Sequence, residues 1–192
     1  MILSHSDRVS TWTLVNLLWL KANIETQKEG EIMQRRCIVF TGLQASGKTT
    51  FYRQFFPDLV HVNLDTLHTR NKERILLDEC FASGVSFVVD NTNPTRADRE
   101  RYIGGAKDNG YRIIGYYFES SVSACKERNS LRTGKACVPV SALTATHRIM
   151  EVPEWDEGFD ELFYVQINEE GFAIHPWSME NGLPRQRQYT KA

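Results

Sequence analysis

The sequence predicts an α/β fold, a parallel β-sheet flanked by helices on both faces, and three observations lead there. From Arg35 onward, short apolar runs alternate with longer amphipathic ones, the pattern of βαβ units. The short runs are apolar nearly throughout rather than at every second residue, as strands covered on both faces must be. The first of them runs directly into GLQASGKT, Gly42 to Thr49, which matches G-x-x-x-x-G-K-[ST] in the strand-to-helix context that gives this pattern its meaning. The three together specify a P-loop NTPase. A chain of 192 residues suits one such core, and a second full catalytic domain would have to be unusually small.

Residues 1–34 read as an N-terminal extension, with one apolar stretch, TWTLVNLLWL, that is too short to span a bilayer. Met33 opens MQRRCIVFTG and is a candidate start of translation. The expected strands are CIVFT at Cys37 to Thr41, LVHVN at Leu59 to Asn63, VSFVV at Val85 to Val89 and RIIGYYF at Arg112 to Phe118. A fifth run, ELFYVQI from Glu161, can continue the sheet or pair with GFAIHP across the turn NEEG. Between strands, Leu77, Cys80 and Phe81 share a helical face that Gly84 stops, while Asn93 and Pro94 read as an N-cap and first helical residue. Gly104 and Gly105 weaken that last helix by roughly 1 kcal/mol each against alanine. The kinase-sized unit is therefore expected over residues 35–176, with a polar tail at 177–192.

The glycine-rich loop carries the first chemistry. A backbone that wraps polyphosphate with its N–H groups needs glycine where φ is positive or a Cβ would collide. The expected nucleotide contacts are Gly42, Leu43, Gln44, Ala45, Ser46, Gly47, Lys48, Thr49 and Thr50. Lys48 reaches the β- and γ-phosphates of ATP, and the Thr49 hydroxyl helps to hold Mg²⁺. Asp90 ends the run VSFVVD, the Walker-B-like position for a carboxylate that anchors the cation directly or through water. The plainer role for Asp90 is to cap the following turn with Asn91 and Asn93.

ATP binding alone does not separate a kinase from a mechanical ATPase. Asp65 follows the strand in HVNLDTL and should project from the carboxyl end of the sheet, where it could take the proton of an attacking hydroxyl. Capping the next helix is the alternative. Arg128 and Arg132, four apart in ACKERNSLRTGK, share a face if that segment is helical, and the glycine- and proline-marked TGKACVPV beyond them reads as a mobile lid. Guanidinium groups there would neutralise charge that grows on the transferring phosphoryl; a solvated helix with scattered charge is the alternative.

Composition limits the remaining classes. The formal net charge of -1 lacks the overall basic footprint of a strong nucleic-acid binder. Cys37, Cys80, Cys125 and Cys137 have neither CxxC nor zinc-ligand spacing, which fits a reduced, cytoplasmic location. His61, His147 and His175 read as structural, and Trp155 and Tyr164 as core aromatics rather than base-stacking platforms.

In order along the chain, GLQASGKTT, VHVNLDTL, VVDNTNPTRADRERYI and RNSLRTGKACVPV resemble the 5′-hydroxyl polynucleotide kinases, including the kinase domains of the polynucleotide kinase-phosphatase type. The resemblance spans about Cys37 to Val140. It implies that Lys48 and Thr49 handle phosphate and metal, that Asp65 is the general base and that Arg128 with Arg132 forms the lid over ATP. It departs where the phage enzyme has an arginine three residues past the base, since His68 stands there, with Arg70 two further on. No DxDGT phosphatase motif occurs in the chain, so a kinase without the companion phosphatase is expected. The expected function is γ-phosphoryl transfer from ATP to a hydroxyl, with RNA or DNA 5′ ends as the favoured acceptor and no membrane or obligate protein partner. A nucleoside, sugar or antibiotic kinase, and an ATP-dependent switch or binding module, are the alternatives.

Overall fold

The computed structural model describes residues 34–119 and 121–178. Residues 1–33, with the apolar stretch and Met33, and the tail from residue 179 lie outside the described residues. Elements alternate as the sequence requires: β1 Arg36–Thr41, α1 Lys48–Phe55, β2 Val60–Val62, α2 Leu64–Leu67, α3 Arg70–Ser83, β3 Phe87–Val89, α4 Arg96–Asp108, β4 Arg112–Phe118, α5 Val122–Ser130, α6 Val140–Arg148, β5 Glu161–Asn168 and β6 Gly171–Pro176. Short 3₁₀ turns cover Gly134–Ala136 and Trp155–Glu157.

The strands form one sheet ordered β2-β3-β1-β4-β5-β6. All neighbours run parallel except β5 and β6. Both readings of the fifth strand therefore hold: it extends the sheet from β4 and turns back through the Asn168 to Gly171 hairpin. Because strand side chains alternate faces, β1 sends Ile38 and Phe40 to a core with Phe51 of α1, and Cys37 and Val39 to a core under α3 and α4. The first core is aromatic, with Phe51 edge-on to Phe40 at 5.7 Å and to Phe118 at 5.2 Å. Trp177 packs on the second core, edge-on to Tyr117 at 5.9 Å, which carries the packed unit one residue past 176.

Gly84 stops α3 as expected, at φ 69 with its N–H on the Cys80 carbonyl. The start of α4 differs. Its N-cap is Thr95, which forms a capping box with Asp98. Asn93 instead takes φ 42 and donates Nδ2 to the Phe40 carbonyl at 2.8 Å. The Asn-Pro pair is thus a turn ahead of the helix, and the stronger start is the reciprocal Thr95–Asp98 pair. α4 continues through its two glycines, and at Gly105 the missing side chain lets Phe81 approach, since a Cβ there would stand 3.2 Å from that ring. The strand ends contract too, since Val85 is exposed. No helix among the described residues is long and apolar enough to cross a membrane.

Candidate active site

Of the expected nucleotide contacts, Gly42 to Thr50 follow the carboxyl end of β1, while Arg128 lies on α5. The loop turns through Ala45 at φ 59 and Gly47 at φ 94, left-handed positions on either side of Ser46 of the kind that turn backbone N–H groups into an anion-binding hollow. Gly47 is also the N-cap of α1, which has no side-chain cap, so the partial positive charge of the helix end faces the loop. Gly47→Ala is expected to cost roughly 1 to 3 kcal/mol through backbone strain, and its Cβ would lie 2.7 Å from Ile167 Cδ1. Urea unfolding with an unchanged slope would register it.

Lys48 is buried and folds back over the loop, donating from Nζ to the carbonyls of Gly42 at 2.8 Å and Leu43 at 2.5 Å and to Ser46 Oγ at 3.2 Å. Burial lowers its pKa to about 8, opposed by the negative charge of Asp90. A bound polyphosphate would further favour the charged form of Lys48, so the hollow and its lysine fit the phosphates of a nucleotide. Leu43 and Ser46 are buried and Thr50 is exposed on α1. Gln44 leaves the loop sideways and donates Nε2 to Thr146 Oγ1 on α6 at 3.1 Å. Its Oε1 is buried with no hydrogen-bond partner among the described residues, a carbonyl that a hydroxyl or water would satisfy.

Asp90 does not cap a turn. Three donors converge on its Oδ2: Thr49 Oγ1 at 2.7 Å, His61 Nε2 at 2.9 Å and Asn63 Nδ2 at 3.1 Å. The Thr49 hydroxyl hydrogen is thereby spent on Asp90 and its oxygen lone pairs are left for a cation. A hydroxyl and a carboxylate oxygen side by side are hard ligands that would suit Mg²⁺. His61, expected to be structural, holds the Asp90 carboxylate, a contact that the sequence reading did not include. It stacks on Tyr52 with ring centroids 3.8 Å apart and planes 6° off parallel, and the available signal was its place two residues before Asn63 on a strand next to that of Asp90.

Asp65 lies in the four-residue helix α2, exposed. It is not the cap; Asn63 is, with Oδ1 accepting the Asp65 N–H at 2.8 Å. Asn63 Nδ2 meanwhile donates to the Asp90 carbonyl at 2.9 Å, so one side chain ties the Asp65 helix to the end of β3. The charge of Asp90 opposes the effect of burial on Lys48, and Arg132 and Asp65 act on it more weakly.

The two arginines do not share a helical face. α5 stops at Ser130 with Leu131 as its C-cap, and Arg132 follows it. Arg128 donates Nε to the Ala45 carbonyl on the loop at 2.7 Å, while Arg132 Nη1 donates to Ala136 at 3.4 Å. The segment between α5 and α6 is pinned by Asn129, which exchanges two hydrogen bonds with Val138, at 2.8 and 3.0 Å. Of the acceptor-side pair, His68 sits at φ 67 and Arg70 is engaged with Glu73 at 2.7 Å.

Similarities to known proteins agree with this architecture. The chain is 28% identical over 137 residues to a protein of Acanthamoeba polyphaga mimivirus named as a bifunctional polynucleotide phosphatase/kinase, covering 67% of this chain. It spans about a third of that relative's length, 32%. Among solved structures, a gluconokinase from Sinorhizobium meliloti 1021 aligns with a TM-score of 0.50 at 20% identity, over 71% of this chain and 86% of its own. Chaetomium thermophilum Kti12 in complex with ADP-AlF3 aligns with a TM-score of 0.53 at 19% identity, over 69% of this chain and 91% of its own. These structures share the P-loop kinase fold. Residues 37–153, more than half of the chain, match the AAA domain family, and the chain belongs to that family.

Proposed function

We propose that the chain is an ATP- and Mg²⁺-dependent phosphotransferase that moves the γ-phosphoryl group to a hydroxyl, with a polynucleotide 5′-hydroxyl as its acceptor. The observation that carries this reading is Asp65, an exposed carboxylate on a helix locked to Asp90 through Asn63 and close enough to Lys48 to contribute to its potential. In this reading the Asp65 carboxylate accepts the hydroxyl proton as the acceptor oxygen bonds to the γ-phosphorus. The bond to the bridging oxygen breaks, and ADP leaves with that electron pair. Lys48 and Arg128 neutralise charge spread over the equatorial oxygens. Thr49 and Asp90 would hold Mg²⁺, which supplies Lewis-acid stabilisation when bound. The similarity to the named polynucleotide phosphatase/kinase supports the acceptor class, and the absence of paired cysteines among the described residues accords with a cytoplasmic setting.

The test is transfer of labelled γ-phosphate to 5′-hydroxyl RNA and DNA oligonucleotides. Asp65→Asn is expected to lower the rate about 10²- to 10⁴-fold with ATP binding intact. Labelling that weakens steeply with salt marks a phosphate-contacting acceptor site. Oligonucleotides that stay unlabelled by an ATP-binding protein would overturn the acceptor. The net charge of -1 favours a nucleoside, sugar or antibiotic as the second reading, for which turnover would be insensitive to salt. Asp65 argues against a switch without transfer; unchanged turnover in Asp65→Asn, lost in Lys48→Ala, would reverse that order.

A further inference from the structure

Next to the ends of β2 and β3 lies a buried polar cluster that this transfer chemistry does not use. Its centre is Glu73 on α3, only 4% exposed, and a carboxylate so placed is costly unless every oxygen is paired. Glu73 Oε2 accepts from Arg70 Nη1 at 2.7 Å, and Oε1 accepts from the Tyr102 hydroxyl at 2.9 Å and from Asn91 Nδ2 at 2.8 Å. The Tyr102 oxygen in turn accepts from Arg70 Nη1 at 2.9 Å and Asn91 Nδ2 at 3.1 Å. Burial raises the Tyr102 phenol to about 12, aided by the charge of Glu73, so the hydroxyl keeps the proton that it donates.

Asn91 is where the cluster meets the site. Its Nδ2 can only face the Glu73 carboxylate, which has no hydrogen to give, and its Oδ1 therefore faces the opposite way. There it accepts the Leu64 N–H at 3.0 Å. Leu64 opens α2 and precedes Asp65. A helix of four residues cannot hold itself in water, and this one is held by Asn63 at the Asp65 N–H and by Asn91 at the Leu64 N–H. The geometry points to Glu73, Tyr102 and Arg70 as positioning residues that, by fixing the amide of Asn91, set the backbone of α2 and with it the Asp65 carboxylate. The inference rests on the reading of Asp65 as the base.

Two measurements on the full chain test it. The first is amide hydrogen exchange at Leu64, which Tyr102→Phe should speed about tenfold or more while the β1 amides keep their protection. Glu73→Gln should do the same by presenting an N–H to one of its donors. The second is single-turnover transfer to a 5′-hydroxyl oligonucleotide. Tyr102→Phe should lose about tenfold in rate, since small misplacements of a reacting group have effects of that order, with nucleotide affinity unchanged. In an Asp65→Asn background it should lose nothing further, because the two residues act as one unit. Equal losses in both backgrounds, or Leu64 exchange unmoved by Tyr102→Phe when Asp65→Asn is inactive, would overturn the network. Asp65→Asn at full activity would instead remove the base, and the positioning role would fall with it whatever the exchange shows.

Discussion

Arg128→Ala is expected to slow γ-phosphoryl transfer by about 10³-fold or more, the scale on which a guanidinium acts on a phosphoryl transition state. The head group already rests on the phosphate loop, with Nε on the Ala45 carbonyl at 2.7 Å, so little movement separates it from a γ-phosphate held over Lys48. Arg128→Lys should not restore the rate, because an ammonium cannot donate to the loop and to phosphate in the fixed geometry of the planar fork. Arg132→Ala should lose less, since Arg132 is exposed beyond the end of α5 and, among the described residues, its side chain hydrogen-bonds only the Ala136 carbonyl, at 3.4 Å. Single-turnover rates, measured beside nucleotide Kd, separate the transition-state effect from ground-state binding. Transfer at the normal rate in Arg128→Ala would assign the growing charge to Lys48 and the cation.

The largest expected loss of stability comes from Glu157→Ala. Arg99 and Glu157 are paired at 0% and 2% side-chain exposure, with Nε and Nη2 on the two carboxylate oxygens at 2.6 and 2.7 Å. Arg99 also donates Nη1 to the carbonyls of Asn93 at 3.2 Å and Glu151 at 3.0 Å. One guanidinium thus joins α4, the turn after β3 and the segment leading to the Trp155–Glu157 turn. Removing only the carboxylate leaves a buried, uncompensated cation, which costs about 3 to 5 kcal/mol. For a protein of this size that lowers Tm by roughly 10 °C. Replacing both partners with apolar residues of similar volume should recover much of the loss. Chemical denaturation of the two variants is the check, and a cost below about 1 kcal/mol for Glu157→Ala would mean that water reaches the guanidinium.

Two of the buried charges, Glu73 and Arg99, were open to reading in the sequence, by a rule seldom applied to charged residues. Glu73 stands on one helical face with Leu77 and Cys80, and Arg99 on one with Tyr102, Ile103 and Ala106, all buried. A charged residue in register with an apolar face has its partner inside the fold. The partner itself, fifty-eight residues away for Arg99, leaves no local trace. The same contrast runs through the site. The strand, loop and helix from Arg36 to Phe55 follow from apolar continuity, glycine and the lysine-threonine pair, and the Thr49–Asp90 contact follows because β1, which leads through the loop to Thr49, pairs with β3, which ends beside Asp90. Where several local signals compete, as at Asn93, Pro94 and Thr95, the reciprocal side-chain bonds decide, and those depend on Asp98 three residues on. The length of α5 was hidden because a run of polar residues carries no period. His61 looked like an ordinary strand residue because its role depends on a neighbour of another strand.

The order of the sheet also governs how the chain can be made. β1 lies in the middle, and its two neighbours are β3 and β4; the residue that opens it, Arg36, pairs with Arg112. As synthesis proceeds from the amino end, the phosphate loop and its lysine emerge early, yet the strand that carries them has no partner on either side until Phe87–Val89 and then Arg112–Phe118 have left the ribosome. Through that interval an apolar strand stays open along both edges, the condition in which chaperones bind and nascent chains associate. Pairings this distant in sequence are slow to close. Truncations ending before β4 therefore leave the phosphate loop on a strand with one open edge, and β1 can be paired along both edges only once Phe118 has left the ribosome.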